Sequence, residues 1–598
     1  MLPAMTDGVT VAVDRNADDG SRLPIKQGPR APRAQSDLPR WAGATAWLVA
    51  AAVLVAVQWR SVAPVFRADE VGNLGNAYLF AHPDATWMLA ANSYMPGTSM
   101  LLTPVWWVTS DPEVAYRIAV IIVALVGLLT ILPLRAIARE VGAPPRVATV
   151  LAAIVVVAPS RALESNYVWG ENLLVLCVAV AVLLLLRLDI ASPGRTPVYL
   201  GAVAGTTFLA HGRALPFALA VLVVGAVLLR GRLKDAAAVV ASGVAVLGVA
   251  YGLHRYIGST IYLEDERVGK TLNDIAHVDV ASYLGLAAGQ LWYTVAAWAG
   301  LTVIGGAALL ARARRESWRG PAAAVSVVLV AMSAAVPLLL ANGETVNGRA
   351  HVFIYGRYLD AFLIPLAVIG LVMLWRGVPR VLPWVVVVLG AIGGLGAAWM
   401  LQAEVPAESG DWIVAPAHVA GVAHLMRIDA TDAWPASWWA VTMLGLVPAL
   451  VVALLARWRV ACIAAVAIGA IGLTLYSDTV KFDRFEQQYR VAPLQVEALA
   501  GVDTDIVLYG DIASPQVLAN GNEFTYWATP RAFVYMDTAR DTSGVELFIA
   551  NLDSEFAAEH GASPLVGTII GNSATWVMPG ELHDELDSQG RVLHRRED

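Results

Sequence analysis

Apolar runs of about 15–22 residues recur along most of this chain, and short polar breaks separate them. An α-helix needs a run of roughly this length to cross the hydrocarbon core of a bilayer. The pattern therefore predicts an α-helical polytopic membrane protein with about thirteen transmembrane helices. These spans are expected near 42–60, 113–133, 147–163, 171–187, 197–211, 214–230, 236–255, 284–310, 321–341, 358–375, 381–401, 437–456 and 460–476.

The polar segments between these runs divide the chain into parts. We predict a disordered tail at 1–41, a membrane domain at 42–476 and a separate domain at 477–598. The first long polar segment, 61–112, contains helical patterns near 69–81 and 97–108. Both are too short or too polar to span, so we expect helices that lie along the membrane surface.

Basic residues indicate the orientation of the spans, because cytoplasmic loops of membrane proteins are rich in Lys and Arg. One alternating set of loops is basic, for example at Arg312, Arg314 and Arg315, and the N-terminal tail falls in the same set. The other set is longer, and its basic residues are sparser. We therefore expect a multi-pass protein of the cell membrane with a cytoplasmic N-terminus and an extracytoplasmic C-terminal domain.

The segment 477–598 alternates helix and strand patterns. We expect strands at DIVLYG, AFVYMD, LVGTII and ATWVM, and helices at DRFEQQYRVAPLQVEALAG and SGVELFIANLDSEFAAEHG. This alternation predicts a small α/β domain. It contains no recognisable metal-ligand spacing, nucleophile elbow or glycine-rich phosphate loop.

Composition agrees with a membrane protein. Hydrophobic residues make up 57% of the 598 positions and charged residues 15%, whereas a soluble chain of this length needs a more charged surface. Cys177 and Cys462 both lie inside apolar runs, which argues against a disulfide framework. We expect the lipid bilayer, and no nucleic acid, as a partner.

Because charge is rare here, ionisable residues at the outer ends of spans are candidates for function. Asp69 and Glu70 follow the first span, and Glu171 begins the fourth from outside. Acids in the first turn of a helix interact favourably with its dipole, which is one explanation for all three. The other is chemical: a carboxylate there could accept a proton from an acceptor hydroxyl or contact a substrate.

Two basic clusters are expected on the same outer side. His211 and Arg213 oppose the charge bias, so we predict a specific partner, either a protein carboxylate or a phosphate. In NGRAHVFIYGRYLDAFLIPL, Arg357 and Asp360 could pair at three-residue spacing. Alternatively, the arginines and tyrosines of this stretch, Tyr358 among them, could clamp a diphosphate or phosphosugar, with Asp360 as a further substrate-binding residue.

Four stretches resemble the GT-C superfamily of membrane glycosyltransferases. RADE with the following helix resembles the first outer loop with its Asp or Asp-Glu pair. The stretch from SYMPG into the second span, NYVWGENLL and HVFIYGRYLDAFLIPL resemble later segments of these enzymes. The YMPG and HGR stretches depart from the usual double-proline and Thr-Arg-Pro forms.

The resemblance implies a GT-C fold and a hexosyl- or pentosyltransferase with its catalytic loop at 61–112. Asp69 would be the catalytic base and Glu70 its neighbour in the active site. Arg213, Arg357 and Tyr358 would hold the phosphate of a polyprenyl-phosphate sugar. The acceptor would be a hydroxyl of a glycan, lipid or protein, which attacks the anomeric carbon with inversion. The resemblance assigns no cofactor and leaves a divalent metal open, because a second Asp-x-Asp element is missing.

Two other functions are compatible with a polytopic chain. A transporter or flippase of a lipid-linked saccharide would need charged or broken helices near the midplane, often in paired halves. The spans contain few such charges, and the sequence shows no repeat. A non-catalytic assembly or sensor protein would place the function in 477–598.

Overall fold

The computed structural model describes residues 37–66, 68–84, 87–90, 93–263, 280–340, 350–404, 415–428, 433–434, 437–486, 492–537 and 544–594. Predictions made for the tail before residue 37 and for the parts of the outer segments between these ranges lie outside the described residues.

Helices make up most of the described chain. They are α1 (Arg40–Gln58), α2 (Asp69–Ala81), α3 (Pro96–Val108), α4 (Pro112–Leu129), α5 (Ile131–Glu140), α6 (Pro145–Val156), α7 (Pro159–Ala162), α8 (Glu171–Leu186), α9 (Thr196–Ala210), α10 (Leu215–Leu228), α11 (Leu233–Ile261), α12 (Val280–Ala296), α13 (Leu301–Glu316), α14 (Pro321–Leu340), α15 (Asp360–Arg376), α16 (Val381–Glu404), α17 (Trp438–Leu444), α18 (Val447–Leu455), α19 (Arg459–Tyr476), α20 (Asp483–Glu486), α21 (Leu494–Glu497), α22 (Pro515–Ala528), α23 (Glu555–Glu559) and α24 (Glu581–Ser588).

The remaining elements are short. The strands are β1 (Arg427–Ile428), β2 (Ala433–Trp434), β3 (Leu508–Asp511), β4 (Phe533–Met536), β5 (Leu547–Asn551), β6 (Ser563–Pro564) and β7 (Ser573–Val577). The 3₁₀ turns are Leu163–Asn166, Gly212–Ala214, Ala350–Ile354 and Pro416–Leu425, and a π-helical turn is Ser477–Phe482.

Apolar helices with exposed aliphatic side chains mark the membrane region. Within the described residues, seven helices are long and apolar enough to cross a bilayer, or up to nine when each bent pair counts as one. Ile121, Val223 and Val244 each expose more than half of their surface, as residues that face lipid do. Each predicted span coincides with one or more apolar helices. The predicted polytopic helical fold is confirmed.

The predicted span 284–310 is a bent pair of helices rather than one straight helix. α12 and α13 meet at 96°. Ala299 and Gly300 between them have φ of 50° and 76°. This left-handed conformation ends α12 and redirects the chain, and glycine adopts it at little cost.

The two helices predicted in 61–112 are present as α2 and α3, almost at the expected bounds. They pack on each other and on α4 and α11, with Leu74, Leu102, Val120 and Ile257 in one buried core. The carboxylates at the start of α2 are thereby held against the ends of α4 and α11.

The C-terminal domain contains a mixed sheet in the order β4-β3-β5-β7-β6. β3 is parallel to β4 and β5, whereas β7 is antiparallel to β5 and β6. The helix predicted for SGVELFIANLDSEFAAEHG is wrong in its first half, which forms β5. Because Leu547 and its next three neighbours are all buried, this short apolar run lacks the alternation that distinguishes a strand from a helix.

Two more predictions in this domain are corrected. The expected strand LVGTII forms only isolated bridges, at Leu565 and Ile570. Helix α22 was not predicted at all.

Candidate functional site

Three helix starts bring together two carboxylates and one guanidinium. Arg357, just before α15, donates from Nη1 to Asp69 Oδ2 and from Nε to Glu171 Oε1, at 2.5 Å in each case. Asp69 begins α2, and Glu171 begins α8. Arg357 therefore does not pair with Asp360, which settles that alternative. We call Asp69, Arg357 and Glu171 the triad.

The triad is buried on the Glu171 side and more open at Asp69. The side chains of Glu171 and Arg357 are 2% and 3% exposed, whereas that of Asp69 is 19% exposed. The Arg357 guanidinium also lies 3.6 Å from the centroid of the Trp169 ring, a cation–π contact that covers one face of it. A reacting molecule would therefore meet Asp69 first.

Asp69 is held in its ionised form. The Tyr94 hydroxyl donates to Asp69 Oδ1 at 2.5 Å, and Arg357 occupies the other oxygen. Burial alone would raise the pKa of Asp69, but Arg357, Tyr94 and Arg213 outweigh it and hold that pKa well below its usual range. The carboxylate can accept a further hydrogen bond at neutral pH because each of its oxygens has a second lone pair.

Arg213 is the more accessible cation beside the triad. Its side chain is 25% exposed, and its Nη1 lies 3.9 Å from Glu171 Oε1. Its guanidinium carbon lies 3.3 Å from the centroid of the Tyr358 ring. The predicted residues Arg213 and Tyr358 thus form one stacked pair at the edge of the site.

His211 supports this edge as a neutral ring. Its Nδ1 accepts the backbone N–H of Arg213 at 3.2 Å, which assigns the proton to Nε2. That Nε2 lies 3.5 Å from Glu171 Oε1. His211 therefore links the turn that carries Arg213 to the buried carboxylate.

Asp360 does not join this cluster. Its carboxylate accepts hydrogen bonds from the Tyr293 hydroxyl at 2.8 Å and from Trp298 Nε1 at 2.7 Å. These contacts tie α15 to α12 inside the bundle. The structure thus separates Asp360 from the other predicted substrate-binding residues.

Glu70 has a different environment from Asp69. Its fully buried carboxylate accepts from the backbone N–H groups of Val65, Phe66 and Val168 at 2.8–2.9 Å. The hydroxyl of Tyr116 donates to it at 2.5 Å. Burial raises the pKa of Glu70 to about 7, although all four donors act to lower it. These bonds fix the chain before α2 and the loop before α8.

Glu70→Gln is expected to destabilise the protein. A glutamine amide group would place N–H donors against the backbone N–H groups or the Tyr116 hydroxyl that now donate to Glu70. We expect the free energy of unfolding to fall by about 2–3 kcal/mol. Thermal unfolding in detergent checks this, with the exposed Glu113→Gln as the matched control. Equal midpoints for the two variants would contradict it.

Two functional candidates were missed by sequence reasoning. Tyr94 is the first residue of the YMPG stretch, and Trp169 lies within NYVWGENLL, so both were inside stretches that carried the resemblance. An isolated aromatic residue in this chain gives no signal of its own, because tryptophan and tyrosine are common at membrane interfaces.

Two buried ionisable residues were also missed. Arg161 and Glu164 lie in the bent segment after α6 and are each 1% exposed. Their side chains have no hydrogen-bond partner among the described residues.

The residues of the site do not fit a resident divalent metal. Among the described residues, no group of three or more His, Cys, Asp or Glu side chains converges on one point. Two of the site's carboxylates, Asp69 and Glu171, are already joined to Arg357. A cation between them would have to compete with that guanidinium.

The helical bundle, its surface helices and the C-terminal sheet form a GT-C fold, the class that the four sequence stretches predicted. The fold is similar to that of ArnT from Cupriavidus metallidurans. Its apo structure matches with a TM-score of 0.53 and 18% identity, over 89% of this chain and 98% of ArnT. Its structure bound to undecaprenyl phosphate matches with a TM-score of 0.53 and 16% identity, over 90% and 98%. A scan against protein-family models and a search of curated proteins gave no match.

Proposed function

We propose that this protein is a membrane glycosyltransferase that moves a sugar from a polyprenyl-phosphate carrier to an acceptor hydroxyl on the outer face of the membrane. The observation that carries the proposal is the triad beside Arg213, which places an ionised carboxylate next to an accessible guanidinium. The GT-C fold agrees with this chemistry. The undecaprenyl phosphate bound by ArnT, which has the same fold, supports a lipid-phosphate donor.

The proposed reaction is a single displacement at the anomeric carbon. Asp69 accepts the proton of the acceptor hydroxyl while that oxygen forms its bond to the sugar. The bond between the sugar and the phosphate oxygen breaks, and the polyprenyl phosphate leaves with the electron pair. One displacement inverts the anomeric centre. Negative charge grows on the leaving phosphate, so a guanidinium beside it stabilises the transition state.

We propose that Arg357 and Arg213 have different roles. Arg357 is committed to Asp69 and Glu171 and sets the orientation of the base. Arg213 has a partly open guanidinium, and the Tyr358 ring beneath it fixes its plane. We therefore assign the phosphate contact to Arg213, with Glu171 and His211 holding that arginine in place.

The orientation predicted from basic loops belongs to the same proposal. A polyprenyl-phosphate donor delivers sugars on the outer face, so the triad and the C-terminal domain would lie outside and the N-terminus in the cytoplasm. The distribution of arginine between alternate loops supports this assignment. A tag accessibility assay on intact cells would test it: labelling of a C-terminal tag only after permeabilisation would reverse the orientation.

Purified protein in nanodiscs, offered a panel of polyprenyl-phosphate sugars, tests the function directly. Arg213→Ala is expected to raise KM for the donor by about 10- to 100-fold, because it removes a charge-assisted hydrogen bond to phosphate. Its effect on KM for the acceptor should be small. The matched control is Arg232→Ala, at an exposed loop position distant in sequence from the triad.

Two results would count against the proposal. Wild-type protein that transfers no sugar but moves a lipid-linked saccharide across a vesicle membrane would favour a flippase. A rise in KM for the acceptor alone in Arg213→Ala would move the phosphate site away from Arg213.

A further inference from the structure

A short extended segment, with isolated β-bridges at Trp87 and Leu89, lies between helices α2 and α3 and the C-terminal domain. We call Trp87–Ala90 the linking strand. Trp87 and Leu89 pack into the core formed with α2, α3 and α11. Met88 and Ala90 pack against the core of the C-terminal domain. Side chains that alternate between two cores are typical of a β-strand buried on both faces.

The C-terminal domain holds the linking strand by hydrogen bonds from one face of α22. Asn522 Oδ1 accepts the backbone N–H of Ala90 at 2.9 Å, and Thr525 Oγ1 donates to the carbonyl of Met88 at 2.9 Å. These two residues are three apart on a helix and so share a face. Trp87 also pairs in parallel with Phe533 at the edge of the sheet.

The end of α11 holds the other side of the linking strand. Leu89 donates its backbone N–H to the carbonyl of Ile261 at 2.7 Å, and Leu263 donates to the carbonyl of Leu89 at 2.9 Å. Backbone groups of the strand are therefore bonded in both directions. The strand is fixed relative to both the membrane domain and the C-terminal domain.

Two glycines of α2 allow the side chains of Leu89 and Tyr94 to lie directly on that helix. A Cβ added at Gly72 would come within 2.3 Å of the Tyr94 ring, and one added at Gly75 within 2.9 Å of the Leu89 side chain. Tyr94 therefore rests on Gly72, one helical turn after Asp69. From that position its hydroxyl reaches Asp69 Oδ1.

We propose that the C-terminal domain positions the catalytic base: Asn522 and Thr525 hold the linking strand, and the strand places the Tyr94 hydroxyl on Asp69. This inference rests on the proposed function, in which Asp69 is the base. Tyr94 fixes one carboxylate oxygen and Arg357 the other, so the lone pair that receives the proton points in one direction. Asn522, Thr525 and Tyr94 are positioning residues.

Loss of this positioning is expected to lower kcat without changing KM for the donor. Tyr94→Phe removes one hydrogen bond to a charged group, and we expect kcat to fall by about tenfold. Asn522→Ala with Thr525→Val should lower kcat in the same way, although neither residue contacts Asp69. Gly72→Ala, which displaces the Tyr94 ring, should resemble Tyr94→Phe.

The decisive measurement combines these changes. If the C-terminal domain acts through Tyr94, adding Asn522→Ala and Thr525→Val to Tyr94→Phe lowers kcat no further. If the kcat losses of the two sets of changes multiply, the inference is overturned, because the C-terminal domain then affects kcat without acting through Tyr94. Asn572→Ala is the matched control, since Asn572 makes its hydrogen bond to Asp553 at an exposed part of the same domain. It should keep the wild-type kcat.

Hydrogen exchange separates this inference from the proposed function. The backbone amides of Leu89 and Ala90 are bonded in the wild type, and Asn522→Ala with Thr525→Val should make them exchange faster. Faster exchange with a wild-type kcat would overturn the inference, as would unchanged exchange. Failure of the proposed function has a different signature, because the wild-type protein itself would then transfer no sugar from any donor.

Discussion

Asp69→Asn should lower kcat for glycosyl transfer by about 10³-fold, within the range that a general base contributes. The asparagine can accept from Arg357 with its oxygen, and its amide group can donate to the Tyr94 hydroxyl, which is able to accept. The triad therefore keeps its connections while the base is lost. Glu171 also remains paired with Arg357, so no buried charge is left alone.

The loss must be measured beside a test of folding. Turnover of the best donor in the panel is compared with elution from a sizing column and with the midpoint of thermal unfolding. Asp84→Asn, an exposed position in the same outer segment, controls for the substitution itself and should retain full activity. An active, folded Asp69→Asn protein would remove Asp69 from the role of base.

Arg357→Ala should destabilise the protein by about 3–5 kcal/mol, because it leaves a buried carboxylate without its main partner. Glu171 is 2% exposed, and its remaining neighbours, the neutral His211 ring and the Arg213 guanidinium, lie at 3.5 and 3.9 Å. Asp69 retains Tyr94 and some exposure, so Glu171 accounts for most of the expected loss.

Thermal unfolding in detergent measures this loss of stability, and two further variants serve as comparisons. Arg213→Ala removes a partly exposed guanidinium and should cost about 1 kcal/mol or less. Arg357→Lys keeps the charge but lacks the planar fork that reaches both carboxylates. It should therefore be intermediate, and it provides a measurable protein if Arg357→Ala does not fold. Equal midpoints for Arg357→Ala and the wild type would show that the triad adds nothing to stability.

The membrane part of the fold was largely predictable, because the length and apolarity of a run decide whether a helix can cross a bilayer. The hydrophobic pattern could not show where the chain bends within an apolar run. The turn at Gly300 lies in a continuous apolar stretch, and a single glycine there does not distinguish a bend from close packing. In the C-terminal domain, β5 was mistaken for a helix because all of its apolar positions are buried.

The ionisable residues of the site could be predicted because charged residues are rare in this chain. Asp69, Glu171 and Arg357 could be expected on one side of the membrane, and the structure brings them together with Arg213 and His211. The direction of the Asp360 side chain could not be predicted, since a residue at the start of a helix can face either the triad or the interior of the bundle. The contrast between Asp69 and Glu70 was also hidden, because it depends in part on the Val168 backbone N–H and the Tyr116 hydroxyl, which are distant in sequence from Glu70.

The pairing of Trp87 with Phe533 also restricts how often the chain can traverse the bilayer. Two segments in contact lie on the same side of the membrane, so the polypeptide between them crosses an even number of times. If each of the twelve spans predicted between residues 113 and 476 crosses once, that number is even, with α12 and α13 counted together as one span. On this count, the two helices that meet at 96° share a single crossing.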